Sequence, residues 1–452
     1  MTLNFRNSLV AGALALCSLT AQAAGEGRML SLPEAIRLGI QNSSKLALDS
    51  ARLIQAQVQY ETAKEAALPE ASVSAQQLFL NQPTVNLKVP LQQGSGGGSD
   101  TAAKTGSVEV NRAFMANASI SMPLYAGGKI RYGKESARLL REAARLATQN
   151  DRASVAYTVT QAYNNVYKAS QAMAVIEENL RSARQRDSTF SRLEDNGVIP
   201  RNDRLKAALQ TSNTELQLLE AESNYAIAKS TLALLVGLPE NTALEVNKAY
   251  ATIQIPDGSY EAYLQQAIDN RADLKALGYQ REAALVGIKS AKAGYLPTIA
   301  ATAGYFYVDV PNFLNVSNAL NGGLALKYNL SSIWKTKNAI HQAQAQQLEV
   351  EANRSNLTDA IRLQINQDYQ SQQLAQRKIS VYQKAQQQAE ENARIVKNKY
   401  DNGLATVTDL LEADAALLNT KLNVSYAQSD AALAYYRLLQ TTGVVPVETT
   451  SN

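Results

Sequence analysis

The hydrophobic and polar positions of this chain change period several times, and the changes repeat. Helical spacing opens near Pro33, a residue suited to a first helical turn, and runs to about Ala67. After Leu68-Pro69 the period becomes two. Val73, Ala75, Gln77 and Phe79 share one face of a predicted strand, and Ala118, Ile120, Met122 and Leu124 share one face of the next. Helical spacing then returns over residues 134–196, which hold neither Gly nor Pro, with Val155, Val159, Ala162, Val166 and Ala169 at helical intervals. The same succession recurs in the second half. A helix is expected over about 260–293, then alternation at Ala301, Ala303, Tyr305 and Tyr307 and at Leu324, Leu326, Tyr328 and Leu330, then a Gly- and Pro-free stretch over 331–402. The order helix, strand, strand, long helix, tight turn, helix therefore occurs twice, with four strands in two hairpins.

Simple addition exposes the duplication. A shift of 228 carries Leu46 to Leu274, Ala56 to Ala284, Lys64 to Lys292 and Leu68-Pro69 to Leu296-Pro297. A shift of 206 carries Tyr163 to Tyr369, Asp195-Asn196-Gly197 to Asp401-Asn402-Gly403, Asp203 to Asp409 and Gly237 to Gly443. The shifts differ by 22, so the first half holds extra residues between Pro69 and Leu124, where Gln92-Gln93-Gly94-Ser95-Gly96-Gly97-Gly98-Ser99-Asp100 reads as a flexible surface insertion. The expected organisation is a signal peptide at 1–23, a first repeat at 24–240, a linker or equatorial segment at 241–258, a second repeat at 259–443 and a tail at 444–452. The signal reading rests on Arg6, an apolar stretch over 9–19 and the small-x-small site Ala21-Gln22-Ala23. Cys17 lies inside that stretch, and the bulky Leu16 before it argues against lipidation.

Size and strand number then constrain the architecture. At 1.5 Å per residue the two Gly- and Pro-free stretches span roughly 95–105 Å, against about 55–60 Å across for a compact globule of this length. An elongated molecule is expected, either a coiled-coil rod or a helical tube. Beyond the signal no apolar run nears the roughly 20 residues of a membrane helix, so any membrane seat must be a β-barrel. Four strands cannot close around an open lumen, and an open sheet in lipid leaves costly unpaired backbone groups. Copies must combine. Two give eight strands with a filled interior, and three give twelve with room for a passage.

Composition removes most other chemistry. The 452 residues carry 44 Lys+Arg against 40 Asp+Glu, which is not the excess of a nucleic-acid binder. One His and one Cys leave no basis for a zinc site or a Ser-His-Asp triad. The Gly-rich stretch at 94–98 lacks the Lys-Ser/Thr and helix of a phosphate cradle. No enzyme activity, cofactor, metal or nucleic-acid partner is expected, and His341, in a Gln-rich helix, reads as a solvated surface residue.

Pro123-Leu124-Tyr125-Ala126-Gly127-Gly128-Lys129 resembles the strand-to-helix junction of the TolC-type outer-membrane efflux proteins. The run from Tyr400 through Asp401-Asn402-Gly403-Leu404-Ala405-Thr406 to Asp409-Leu410-Leu411-Glu412-Ala413 is similar to that family's helix-tip signature, and Asn196-Gly197-Val198-Ile199-Pro200 with Asp203 is its first-half partner. The resemblance covers almost the whole chain after the signal. It implies an α+β fold: a homotrimeric twelve-stranded β-barrel, four strands per chain, continued by an α-helical barrel through the periplasm. The implied function is an outer-membrane exit duct of a tripartite efflux or type I secretion system, fed by a periplasmic adaptor (membrane fusion) protein and an inner-membrane pump. An exported coiled-coil scaffold or adhesin is the alternative.

The candidate residues cluster at the two tips. Asp409 and Glu412 are neighbours on one helix face. A local reading makes Asp409 part of a cap with Thr406; the resemblance implies a ring of acids, with Asp203, around a narrow periplasmic aperture. Ala405 stands where the family often has a basic latch, which leaves Arg201 as the substitute. Gly197 and Gly403 are expected to end helices in the left-handed conformation. Val198, Ile199, Pro200, Leu404 and Ala405 then contact an adaptor or pack on the neighbouring hairpin. Trp334, Tyr328 and Tyr125 fall at strand–helix junctions, where an aromatic belt or ordinary packing accounts for them.

Overall fold

The elements recur at the shifts that align the sequence with itself. The structure, a computed structural model, describes residues 28–81, 84–85, 108–109, 111–247, 250–251, 255–256, 258–311 and 314–444. The expected signal peptide, Cys17 and the Gly/Ser run at 92–100 lie outside the described residues. In chain order the elements are β1 (Arg28–Leu30), α1 (Leu32–Asn42), α2 (Ser44–Glu65), β2 (Glu70–Phe79), β3 (Thr84–Val85), β4 (Val108–Glu109), β5 (Arg112–Tyr125), α3 (Lys129–Asp195), α4 (Arg201–Val236), β6 (Leu244–Val246), α5 (Tyr260–Asn270), α6 (Ala272–Lys292), β7 (Thr298–Val310), β8 (Leu314–Lys327), α7 (Ser332–Asp401) and α8 (Val407–Thr441).

Each opening helix, expected as one piece, is two. Ser43 (ψ 116°) breaks the first and Arg271 (ψ 121°) the second, positions 228 apart. Both short leading helices start under a serine cap: Ser31 accepts from the Glu34 N–H, and Ser259 accepts from the Ala262 N–H. Neither break carries Gly or Pro, so nothing in the local pattern announces it. One other expectation changes. Strand β8 ends at Lys327, so Tyr328 and Leu330 lie beyond its ladder. The segment between the repeats contains β6, which pairs in parallel with β1. Tyr163 holds that pair in place: its hydroxyl donates to the Leu30 C=O and accepts from the Asn247 N–H, each at 2.8 Å.

The chain forms two compact units that cut across the repeats. One comprises the described residues within Met1–Ala51, Arg145–Lys275 and Arg354–Asn452, the other those within Arg52–Ala144 and Ala276–Asn353. The first unit has its main core where Tyr163, Val166, Leu30, Ile36, Leu232 and Val236 are sealed from solvent. Tyr250 packs there against Tyr163, Tyr167 and Tyr436 with ring centroids 5.4–6.0 Å apart. By the 206 shift Tyr163 corresponds to Tyr369, which joins a second cluster with Tyr260, Tyr263 and Ile365.

The second unit is built on an antiparallel sheet in the order β2-β5-β7-β8, so the two hairpins join through β5 and β7. Its cross-strand rows separate sharply by face. Val73, Ala118, Tyr305 and Leu320 form one row, Ala71, Ile120, Ala303 and Gly322 the next, and Met122, Ala301 and Leu324 a third. Behind them lie Ser72, Ser119, Gly304 and Asn321, then Glu70, Ser121, Thr302 and Gly323, with Ser72 and Ser119 hydrogen bonded at 3.1 Å. Over these rows one face is apolar and the other small and polar, whereas toward the hairpin turns Met115, Phe306 and Val308 join the second face and Gln77, Asp309 and Asn315 the first. The apolar face bears the alternating residues read from the sequence on all four strands. It is also open: Val73 is 84% and Leu320 83% exposed. The outer edges of β2 and β8 have no strand partner among the described residues.

Candidate functional site

The tips of the two helical hairpins, α3–α4 and α7–α8, lie side by side in the first unit. The same cap makes both turns. Gly197 (φ 71°) donates to the Glu194 C=O and Val198 to the Leu193 C=O; Gly403 (φ 72°) donates to Tyr400 and Leu404 to Lys399. This pair of bonds needs a left-handed residue, which glycine supplies without strain. Asn196 and Asn402 each add a side-chain bond back to the carbonyl one turn earlier. Gly237 and Gly443 close the far ends of α4 and α8 with the same bonding pattern.

The two turns lead into differently capped helices. Thr406 caps α8 in a full capping box, its hydroxyl accepting from the Asp409 N–H at 3.2 Å while Asp409 Oδ2 accepts from the Thr406 N–H at 2.8 Å. Those bonds from Thr406 hold the Asp409 carboxyl below the usual carboxylate range. In α4 the capping position is Pro200, with no side-chain cap, and Asp203 instead meets Lys206 at 3.4 Å. Lys206 also donates to Thr408 Oγ1 at 3.2 Å, tying one hairpin to the other. Glu412, the counterpart of Lys206 under the 206 shift, borders the same shallow groove with Leu209, Asn213 and Leu411.

Beneath the turns Phe190, Ala207, Val407 and Leu410 are buried, and Ile199, Leu193 and Tyr400 pack on them. Phe190 stacks on Tyr400 at 5.7 Å between centroids. Burial, with Asp203 and Asp401 nearby, pushes the Tyr400 hydroxyl up. Ile199 therefore belongs to the tip's own core, whereas Val198 and Leu404 are 66% and 77% exposed. Pro200 is exposed and Ala405 half-buried. Arg201 is exposed and makes no ion pair among the described residues.

Sequence reasoning passed over one pair. Arg186 of α3 and Asp414 of α8 form an ion pair with side chains only 22% and 23% exposed. Burial raises the Asp414 pKa, opposed by Arg186 and by Lys397 of α7. The pair opens onto a cleft of about 610 Å³ lined also by Glu178, Arg394, Lys397 and Lys421. Arg186 lies four residues before Phe190 and Asp414 four after Leu410, so the pair lies one helical turn from the tip core. Helical spacing from those apolar anchors was the available signal.

The outer membrane efflux protein family model matches residues 35–238 and 263–444. The outer membrane efflux protein BepC of Brucella suis biovar 1 (strain 1330) is 23% identical over 327 residues, 72% of this chain and 71% of that protein. The alkaline protease secretion protein AprF of Pseudomonas aeruginosa is 24% identical over 341 residues, 74% of this chain and 70% of that protein. Among solved structures, the outer membrane protein VceC from Vibrio cholerae superposes with TM-score 0.72 at 21% identity, covering 91% of this chain and 96% of that one. The open state of the Neisseria gonorrhoeae MtrE outer membrane channel superposes with TM-score 0.70 at 18% identity, covering 91% and 89%.

Proposed function

This chain belongs to the outer membrane efflux protein family and is an outer-membrane exit duct for efflux or secretion, and from that premise we propose that it conducts as a homotrimer whose helix tips form an acidic periplasmic aperture. The observation that carries the reading is the sheet: over the rows nearest the helices one face is apolar and the other polar, and its two outer edges have no strand partner among the described residues. Strand directions alternate across β2-β5-β7-β8, so β8 of one copy is antiparallel to β2 of the next and a ring closes without a mismatch. Three copies give twelve strands. The apolar rows then face lipid, and Ser72, Ser119, Ser121, Thr302 and Asn321 face a wet lumen.

The helices support the same association. Ion pairs Lys168–Asp430 and Lys421–Glu178 join α3 to α8, Ala221 of α4 packs with Ile176 of α3 and Leu418 of α8, and α4 and α7 each keep an uncovered side. Those two carry the exposed apolar stripes: Leu209, Leu216 and Leu219 on α4, and Leu363, Leu374 and Val381 on α7, each at least 55% exposed. A second copy is the partner these stripes fit, α4 against the neighbour's α7. Val198 and Leu404 at the tips are the apolar contacts for a periplasmic adaptor that connects the duct to an inner-membrane pump. Arg201, without an ion pair among the described residues of its own chain, is the cation available to latch onto an acid of the neighbouring copy.

Asp409 and Glu412, repeated threefold, crowd carboxylates around the mouth and favour cations. The capping box keeps Asp409 ionised while symmetry supplies the ring. The test is single-channel recording in a planar bilayer. Asp409→Ala with Glu412→Ala should raise conductance and weaken cation preference. Unchanged conductance and selectivity would refute the acidic aperture, and absence of channels from a folded wild-type oligomer would refute the duct.

A further inference from the structure

Cations crowd the junction between strands and helices, several of them at helix starts, where the helix dipole disfavours them. Helix α3 begins Lys129, Arg131, Lys134, and α7 carries Lys335 and Lys337 near its start; neither helix has an acidic residue in its first turn. The positive end of a helix dipole favours the opposite choice. In the last turn of α6, Lys289 and Lys292 add to the same level, and Lys327 ends β8. Within this collar, α3 and α6 enclose a groove of about 520 Å³ lined by Arg131, Tyr132, Lys134, Glu135, Val286 and Lys289. Its carboxylate is already engaged, since Glu135 takes Arg138 in a two-bond pair at 2.8 and 3.0 Å. Arg131, Lys134 and Lys289 have no ion-pair partner among the described residues.

Three cations share one groove, Arg131 among them set against the α3 dipole, and the groove's one carboxylate is taken up by Arg138; this indicates an anion from outside the chain. The neighbours say which kind. The groove lies within about two helical turns of the end of β5 and of the α6 terminus that leads into β7. Tyr125, the last residue of β5, and Trp334, in the first turn of α7, are 44% and 63% exposed and have the amphipathic character of membrane-interface residues. We propose that this groove binds the phosphate headgroup of an anionic phospholipid in the periplasm-facing leaflet of the outer membrane. The inference rests on the membrane seat of the sheet. Arg131 supplies a planar fork for two phosphate oxygens, Lys134 and Lys289 supply mobile point charges, and Val286 gives the acyl-glycerol end an apolar contact.

The experiment is native mass spectrometry of the oligomer in neutral detergent, incubated with phosphatidylglycerol, phosphatidylcholine or inorganic phosphate. Phosphatidylglycerol should be retained roughly tenfold or more over phosphatidylcholine, with a preference that falls as salt rises. The Arg131→Gln/Lys134→Gln/Lys289→Gln variant should lose it. Equal retention of the two lipids by the wild type would overturn the proposal, and this comparison needs no variant to fold. Displacement of phosphatidylglycerol by millimolar phosphate would overturn it too, assigning the groove to the free ion, as would full retention by the triple variant. Channels that still form in a bilayer while the lipid preference is missing would fault the groove alone. A wild-type oligomer that forms none would fault the duct.

Discussion

Replacing Arg186 by Ala strikes the tip at its most consequential polar contact. The residue pairs with Asp414 across the α3–α8 contact, both side chains more than three-quarters buried. Removing one partner of a fully buried pair costs about 3–5 kcal/mol; with nearly a quarter of each side chain exposed, solvent screening reduces this to about 1–3 kcal/mol. The adjoining core of Phe190, Ala207, Val407 and Leu410 gains about 1.5–3 kcal/mol from each large apolar side chain it buries. The loss thus equals about one core residue, enough to loosen the hairpin tips. Asp414→Asn should cost less than about 1 kcal/mol, because Arg186 can turn its long side chain to water whereas the short, buried Asp414 carboxylate cannot. Arg186→Ala should therefore raise single-channel conductance more than Asp414→Asn, and Arg186→Ala/Asp414→Asn should fall back toward the milder variant. The pH dependence has a definite sign. Asp414 has a raised pKa in the folded tip, so between its ordinary value and the raised one the folded state binds more protons than the unfolded state, and stability falls as pH rises through that window. Removing Arg186 removes an opposing cation and extends the window upward. Acidification should then return the variant's conductance toward wild type. Equal effects of the two single substitutions, flat with pH, would refute this reasoning.

The two faces of the sheet make opposite predictions for the same charge. Ile120→Arg, on the apolar face, should cost about 2–4 kcal/mol if it lies near mid-membrane and reduce the yield of heat-resistant oligomer, while Asn117→Arg on the opposite face should assemble and shift ion selectivity toward anions. The glycine caps separate backbone strain from crowding. Gly403→Ala meets open space and should cost only about 1–2 kcal/mol for its left-handed φ. Gly237→Ala has the same φ penalty, and its Cβ would lie 2.4 Å from Asn42, whose amide holds the Leu38 and Val236 carbonyls, so thermal denaturation should show a loss of about 2–4 kcal/mol.

Much of the site was legible because its determinants are local. Gly197 and Gly403 announce their turns through the one backbone conformation that suits glycine, and Thr406 with Asp409 spells a capping box over four residues. Alternation along β2, β5, β7 and β8 revealed the apolar face, since a strand's side-chain period is independent of its neighbours. The duplication was legible by subtraction. The pairing β5–β7, by contrast, joins residues from different repeats and had no local signature. The breaks at Ser43 and Arg271 lack any helix-breaking residue, and β1 finds β6 more than two hundred residues away through Tyr163. Arg186 and Asp414 are ordinary surface-type residues until two helices bring them together. The sequence by itself determined periods, caps and the order of elements, because each depends on dihedral preferences and side-chain spacing within a few residues. Only the tertiary structure decided which charges lose their water and which remain uncompensated, because desolvation and pairing depend on neighbours that chain order does not specify.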